Sequence, residues 1–284
     1  MIRFDYYKPI SLEKALTLKR KHPDAKYVAG GTDVMVQIKN RDICPSALIS
    51  LRNISELSSI DINGSARIGA AVTIRDIIQH PELGNTFPLL VEAAKRLGSV
   101  QIRNVATIGG NLSNCSPCAD TATPLLVMEA KVKLQNPETT REMPVVDFFQ
   151  GPGASCLITD EIMTQITIDP PSENAQAVFL KKGRVKMDLA VASVAILLEL
   201  EGDKCLKARI AAGSVAPVPL RLRKVEELLE GKAIQTDLIA EAQRLAEESV
   251  SPITDIRSTE EYRRKIVGVY VKRGLEKLSR GIRE

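Results

Sequence analysis

The 284-residue sequence predicts an α+β protein, with a smaller C-terminal α+β module packed against a larger α+β part. Three observations carry this. Strand-length apolar runs are interspersed with helical faces along the first two thirds. Beyond them, strand-like runs at Ala177–Leu180, Ala190–Leu200 and Leu206–Gly213 precede two helical stretches, Leu222–Leu229 and an amphipathic region from Asp237 onward. Between the two parts, Asp169-Pro170-Pro171-Ser172-Glu173-Asn174 is the sharpest break in composition and marks the main boundary. No repeat at a solenoid or propeller period is present.

Taken in order, Ser11 precedes Leu12, Ala15, Leu16 and Leu18 at helical spacing, so a helix capped by Ser11 is expected to end before His22-Pro23. Tyr27-Val28-Ala29 reads as a buried strand that breaks at Gly30-Gly31-Thr32-Asp33, before a helix or strand resumes at Val34-Met35-Val36. Ala47–Leu51 and Ala66–Ile74 read as strands. Leu89, Leu90, Ala93, Ala94 and Leu97 share one helical face, with Gly98 at the C-cap. Ser99 to Asp120 lacks either period and predicts a structured loop, within which Ser116-Pro117 resembles a helix start with Asp120 in its first turn. Val132–Leu134 resumes strand character.

Composition excludes several function classes. The 39 basic and 35 acidic residues leave a net charge of +4 without a long run of one sign, too balanced for a nucleic-acid footprint. No apolar run reaches the roughly 20 residues that cross a bilayer, and the longest, Leu189–Leu200, reads as buried core. Met1 to Tyr6 carries an early acid and no apolar segment, which predicts no secretory signal and a cytoplasmic chain. The five cysteines, Cys44, Cys115, Cys118, Cys156 and Cys205, are thinly scattered and read as free thiols or ligands rather than a disulfide framework.

Four constellations could carry chemistry. Ala29-Gly30-Gly31-Thr32-Asp33 could let successive amides converge on a phosphate, although a Gly-Gly turn alone is more often just a turn. Thr107-Ile108-Gly109-Gly110-Asn111 repeats the pattern, and two such turns could grip the two halves of a diphosphate. Neither has the G-x-G-x-x-G or Walker A spacing. Cys115 and Cys118 stand at C-x-x-C spacing, open to a redox pair, half a metal site or, more simply, two small buried side chains; the only histidines, His22 and His80, are distant and read as surface turn residues. Lys181-Lys182-Gly183-Arg184, running into Asp188, is by itself a solvated face, but beside a bound anion it could complement phosphate or a reduced flavin.

The segments YVAGGTDV, RNVATIGGNLSNCSPCADTATPLLVMEAKV, FLKKGRVKMDLAVASVA, RIAAGSVAPVPLR and DIRSTEEYRRKIVGVYVKRGLEK together resemble the medium, FAD-binding subunit of the xanthine dehydrogenase and carbon monoxide dehydrogenase family, almost end to end. The resemblance implies an FAD-binding fold of the vanillyl-alcohol-oxidase (PCMH) type: subdomains over 1–57 and 58–173 clasp FAD and a C-terminal domain over 174–284 covers it. It implies that Ala29, Gly30, Gly31, Thr32 and Asp33 hold the pyrophosphate, flanked by Tyr27, Val28 and Val34, and that Thr107, Ile108, Gly109, Gly110 and Asn111 hold it and the ribityl chain from the other side. Asp120 would bind a flavin-side hydroxyl, Ile162 would make an apolar contact with the cofactor, and Lys181 and Arg184 would lie near the ring.

In such complexes, commonly dimers of heterotrimers, a large molybdopterin subunit hydroxylates the substrate and a small subunit with two [2Fe-2S] clusters relays electrons. The flavoprotein passes them through non-covalent FAD to NAD or another acceptor, so this chain needs no acid–base dyad, catalytic residue or metal of its own. Cys115 and Cys118 depart from the small residues common there, which leaves a thiol pair beside the flavin open. The rival expectations are a stand-alone flavin oxidase or reductase of the same fold and a non-catalytic scaffold.

Overall fold

The structure, a computed structural model, describes residues 3–280; Met1, Ile2 and residues 281–284 lie outside it. The first unit comprises β1 (Asp5–Tyr7), α1 (Leu12–Lys21), β2 (Lys26–Val28), α2 (Val34–Asn40) and β3 (Ala47–Ser50), its strands forming a parallel sheet in the order β1-β3-β2. Parallel neighbours cannot be joined by a tight turn, and α1 and α2 provide the crossovers. Ser11 caps α1 as expected, accepting the Lys14 amide at 3.3 Å. β3 is central and buried at every position, which is why Ala47–Leu51 reads as one run.

The second unit contains β4 (Ile60–Asn63), β5 (Ser65–Gly69), α3 (Ile74–Gln79), α4 (Pro81–Thr86), α5 (Pro88–Arg96), α6 (Val100–Arg103), α7 (Ile108–Ser113), α8 (Ala122–Val127), β6 (Lys131–Gln135), β7 (Thr140–Pro144), a ribbon of β8 (Phe149–Gly151) and β9 (Ala154–Ser155), and β10 (Ile162–Ile168). Its main sheet is antiparallel, in the order β4-β5-β10-β6-β7. Three expectations need correction here. The strand read over Ala66–Ile74 stops at Gly69, because the chain turns and Thr73 starts α3 with a capping box that pairs it with Asp76. The loop read over Ser99–Asp120 holds α6 and α7, each too short to display a period. The helix after Pro117 begins only at Ala122, so Asp120 precedes it. His80 is also more than a turn residue: its Nδ1 accepts the Leu83 amide at the start of α4.

The third unit is an antiparallel sheet of β11 (Ala175–Lys182), β12 (Ala192–Glu201), β13 (Lys204–Gly213) and β14 (Leu220–Arg221), covered by α9 (Arg223–Leu229), α10 (Thr236–Glu248) and α11 (Glu260–Arg280). β12 is buried on both faces. Val194, Ile196 and Leu198 join the core under the helices, while Ala195 and Leu197 join the core of the second unit. That double burial explains the apolar run; Leu189, read with it, is 55% exposed because the strand starts three residues later. The stretch 169–174 lies exposed between β10 and β11. Among the described residues no helix is long and apolar enough to cross a membrane.

Candidate functional site

The two glycine turns meet. Gly31 has φ +75°, a conformation that costs other residues strain, and turns the chain from β2 into α2. Gly30 lies so close to the segment leading into the second turn that a Cβ there would sit 2.1 Å from the Val105 carbonyl oxygen. Asn114, after α7, donates to Asp33 Oδ1 at 3.1 Å and accepts from Gln37 of α2 at 3.4 Å, tying the turns along their length.

Their backbone amides are not equivalent. Among the described residues, those of Gly30, Gly31, Thr32 and Asp33 find no acceptor within the chain. Those of the second turn are engaged: Ile108 with Val72 O, Gly109 with Ala70 O, Gly110 with Thr107 Oγ1 and Asn111 with Thr107 O. The expectation of two amide nests is therefore corrected to one, with the second turn acting as a close-packed wall. The Thr107 hydroxyl is the N-cap of α7, and Thr107→Val is expected to cost about 1 kcal/mol, read as a lowered urea midpoint.

Asp120 and Lys181 form the other side. They are 61 residues apart in sequence, yet Lys181 Nζ sits 2.7 Å from Asp120 Oδ2 with both side chains buried, and it also donates to Arg96 O at 2.9 Å. Burial pushes the Asp120 carboxyl up, to about 6, against the pull of Lys181. Its Oδ1 is buried without a partner in the chain. Arg184, by contrast, is exposed and paired with Asp188 at 2.7 Å. Ile162 is buried in the core of the first unit, against which Tyr27 and Ala29 also pack, so it supports the first turn from below. Val28 and Val34 belong to a neighbouring small cluster.

Arg257 and Ser214, which the sequence reading left without a role, grip the same segment and are held in turn by Asp255 and Arg263. Arg257 Nη1 lies 3.2 Å from Cys118 Sγ. Asp255 accepts from both Arg257 and the fully buried Arg263, each at 2.6 Å; burial opposes its ionisation, but those donors hold its carboxyl well below the ordinary range. Arg263 also donates to Ser214 O, and Ser214 N donates to Pro117 O at 2.7 Å. The only sequence signal was the dense charge pattern of DIRSTEEYRR. Cys115 and Cys118 are both buried, and burial drives the Cys115 thiol up to about 12. Among the described residues no group of three or more His, Cys, Asp or Glu side chains could hold a metal ion.

Together these groups outline a cradle: free amides at one end, a glycine wall beside them, and an unsatisfied buried carboxylate oxygen beyond. The family profile described as "FAD binding domain in molybdopterin dehydrogenase" matches residues 2–171, and that of the "CO dehydrogenase flavoprotein C-terminal domain" matches residues 177–278. The chain belongs to this flavoprotein family. It is 32% identical to the carbon monoxide dehydrogenase medium chain of Afipia carboxidovorans, covering 96% of each chain. It is 30% identical to the xanthine dehydrogenase FAD-binding subunit of Escherichia coli O157:H7, covering 94% of this chain and 93% of that one. A solved carbon monoxide dehydrogenase from Hydrogenophaga pseudoflava superposes with a TM-score of 0.95 at 31% identity over 99% of this chain and 98% of that one.

The chain is thus an FAD-binding subunit of a molybdenum hydroxylase type of oxidoreductase, and its fold is that of these flavoproteins. The residues present fit FAD: the orphaned Asp120 Oδ1 is placed for a hydroxyl donor, and at Gly30 any side chain would force the two turns apart.

Proposed function

We propose that this subunit takes electrons from [2Fe-2S] clusters on a small partner subunit, fed by a large molybdopterin subunit, and passes them through non-covalent FAD to NAD or another acceptor. The observation that carries this reading is the meeting of the two glycine turns beside free amides and an unpartnered buried carboxylate. Bound FAD supplies the ability to accept electrons singly and release them as a pair. The chain's own residues bind and orient it. The amides of Gly30 to Asp33 hold the diphosphate, the turn from Thr107 to Asn111 packs against the chain beyond it, and Asp120 Oδ1 accepts a hydroxyl. Lys181 fixes Asp120 and places a positive charge near the ring, with Arg184 further out.

The subdomain division at 1–57, 58–173 and 174–284 belongs to the same reading and is supported by three main clusters of buried side chains, although Ile162 joins the first and Phe179, Ala195, Leu197 and Ala211 join the second. A cytoplasmic complex arranged as a dimer of heterotrimers completes it. The test is purification of the chain with its genomic neighbours. One FAD per chain, released into the supernatant on acid precipitation, is expected, as is flavin bleaching when substrate is added to the complex. A colourless protein, or flavin that stays with the precipitate, would end this assignment.

A further inference from the structure

The third unit leaves one edge of its sheet open. β11 is its outermost strand and pairs only with β12. The Leu200 amide donates to Asn174 O, which fixes the alternation along the pair. Even-numbered residues of β11 bond to β12, and the main-chain groups of the odd-numbered ones point away from the sheet. Ala175 N accordingly turns outward to Ser172 O. The main-chain groups of Ala177 and Phe179 point the same way and have no partner among the described residues.

An open edge is normally covered or blunted. Here α5 packs against β11 without closing over it, and a cleft of about 370 Å³ remains between them. Phe87, Leu89 and Phe179 line it, yet none is more than 5% exposed, so the space between these apolar walls is narrow. Its opening is charged. Arg96 Nε donates to Glu92 Oε1 at 3.0 Å, which leaves both terminal nitrogens of the guanidinium without a partner among the described residues. Exposed Lys277 of α11 lines the same cleft and makes no ion pair among the described residues. The one acid is matched by Arg96, so the remaining charge at the opening is positive.

The volume falls in the ordinary range for small-molecule sites, about 300–1,000 Å³, and the mix of apolar walls with a few converging polar groups is how such sites are built. A slot this narrow admits a ring rather than the broad face of a protein. None of the residues that line it belongs to the flavin cradle, although Arg96 joins the two, since its carbonyl oxygen accepts Lys181 Nζ at 2.9 Å. We propose that this cleft is a second binding site, for a small monoanion with a flat apolar body. The carboxylate meets Lys277 and the Arg96 guanidinium at the opening, and the ring lies between the apolar walls. The site stands independently of the electron-transfer reading above.

The test is equilibrium dialysis of the purified full-length chain with its flavin against 2-naphthoate, with neutral 2-naphthamide as the uncharged control. Half-saturation with the naphthoate is expected at or below about 1 mM, and the amide should bind about tenfold more weakly, as for loss of a charge-assisted hydrogen bond. Lys277→Met should weaken the naphthoate about tenfold and leave the amide unchanged. Ala177→Phe sets a ring into the slot from an exposed position on an edge strand, where an aromatic is well tolerated, so the chain should keep its fold and flavin while losing both compounds. No retention of 2-naphthoate at that concentration overturns the proposal. Equal affinity for acid and amide does the same, and so does binding that survives Ala177→Phe.

Discussion

Gly30→Ala should yield a chain that has lost its flavin and part of its stability. A Cβ at position 30 would meet the Val105 carbonyl oxygen at 2.1 Å and its carbon at 2.7 Å. These are backbone atoms, fixed by the hydrogen bond from Val105 N to Ile102 O, so they cannot swing aside as a side chain would. The two turns must separate, which opens the cradle and costs on the order of 1–3 kcal/mol of overpacking strain. At Gly110 the added Cβ would meet only Thr107 Oγ1, at 2.9 Å, so Gly110→Val should perturb flavin with a smaller loss of stability. The absorbance ratio of flavin to protein, read beside a thermal melt, separates the two effects. Stoichiometric flavin in both variants would remove these turns from the site.

Lys181→Met should be the more damaging change at neutral pH, because it leaves the Asp120 carboxylate buried without its counter-charge, a loss of roughly 3–5 kcal/mol. The pH dependence follows from linkage. Asp120 is raised by burial from 3.8 to about 6, so between those values the native chain holds a proton that the unfolded chain has released. Stability from this group therefore falls as pH rises through that window and levels off above it. Without the ammonium the folded value climbs further and the falling limb extends upward. Urea unfolding at about pH 5 and about pH 7.5 should show the deficit of Lys181→Met growing with pH. Adding Asp120→Asn should recover much of the loss; an equal deficit at both pH values would show that Lys181 matters only as packing.

What was legible in the sequence follows from the range of the physics. The strands at Ala47–Ser50 and Ala192–Glu201 were readable because burial on both faces writes an unbroken apolar run into the local sequence. The glycine turns were readable because only glycine tolerates the geometry at Gly30 and Gly31. The consumption of the Ile108 and Gly109 amides was not, since their acceptors, Val72 O and Ala70 O, lie on another part of the chain. Lys181 looked like one member of a solvated run; only β11 packing across the 116–120 segment turns it inward. Arg263 is the extreme case, a fully buried guanidinium within the dense charge pattern at the start of α11.

The way Lys181, Ser214 and Arg257 reach across to residues 117–120 has a bearing on how the chain can be cut or recombined. A fragment ending after β10 would keep both turns, yet its carboxylate at position 120 would face water or an apolar void with no ammonium opposite. Chimaeras that graft the last hundred or so residues of one relative onto the first part of another should hold cofactor only where the donor brings a lysine, a tight turn and a guanidinium to those same three points.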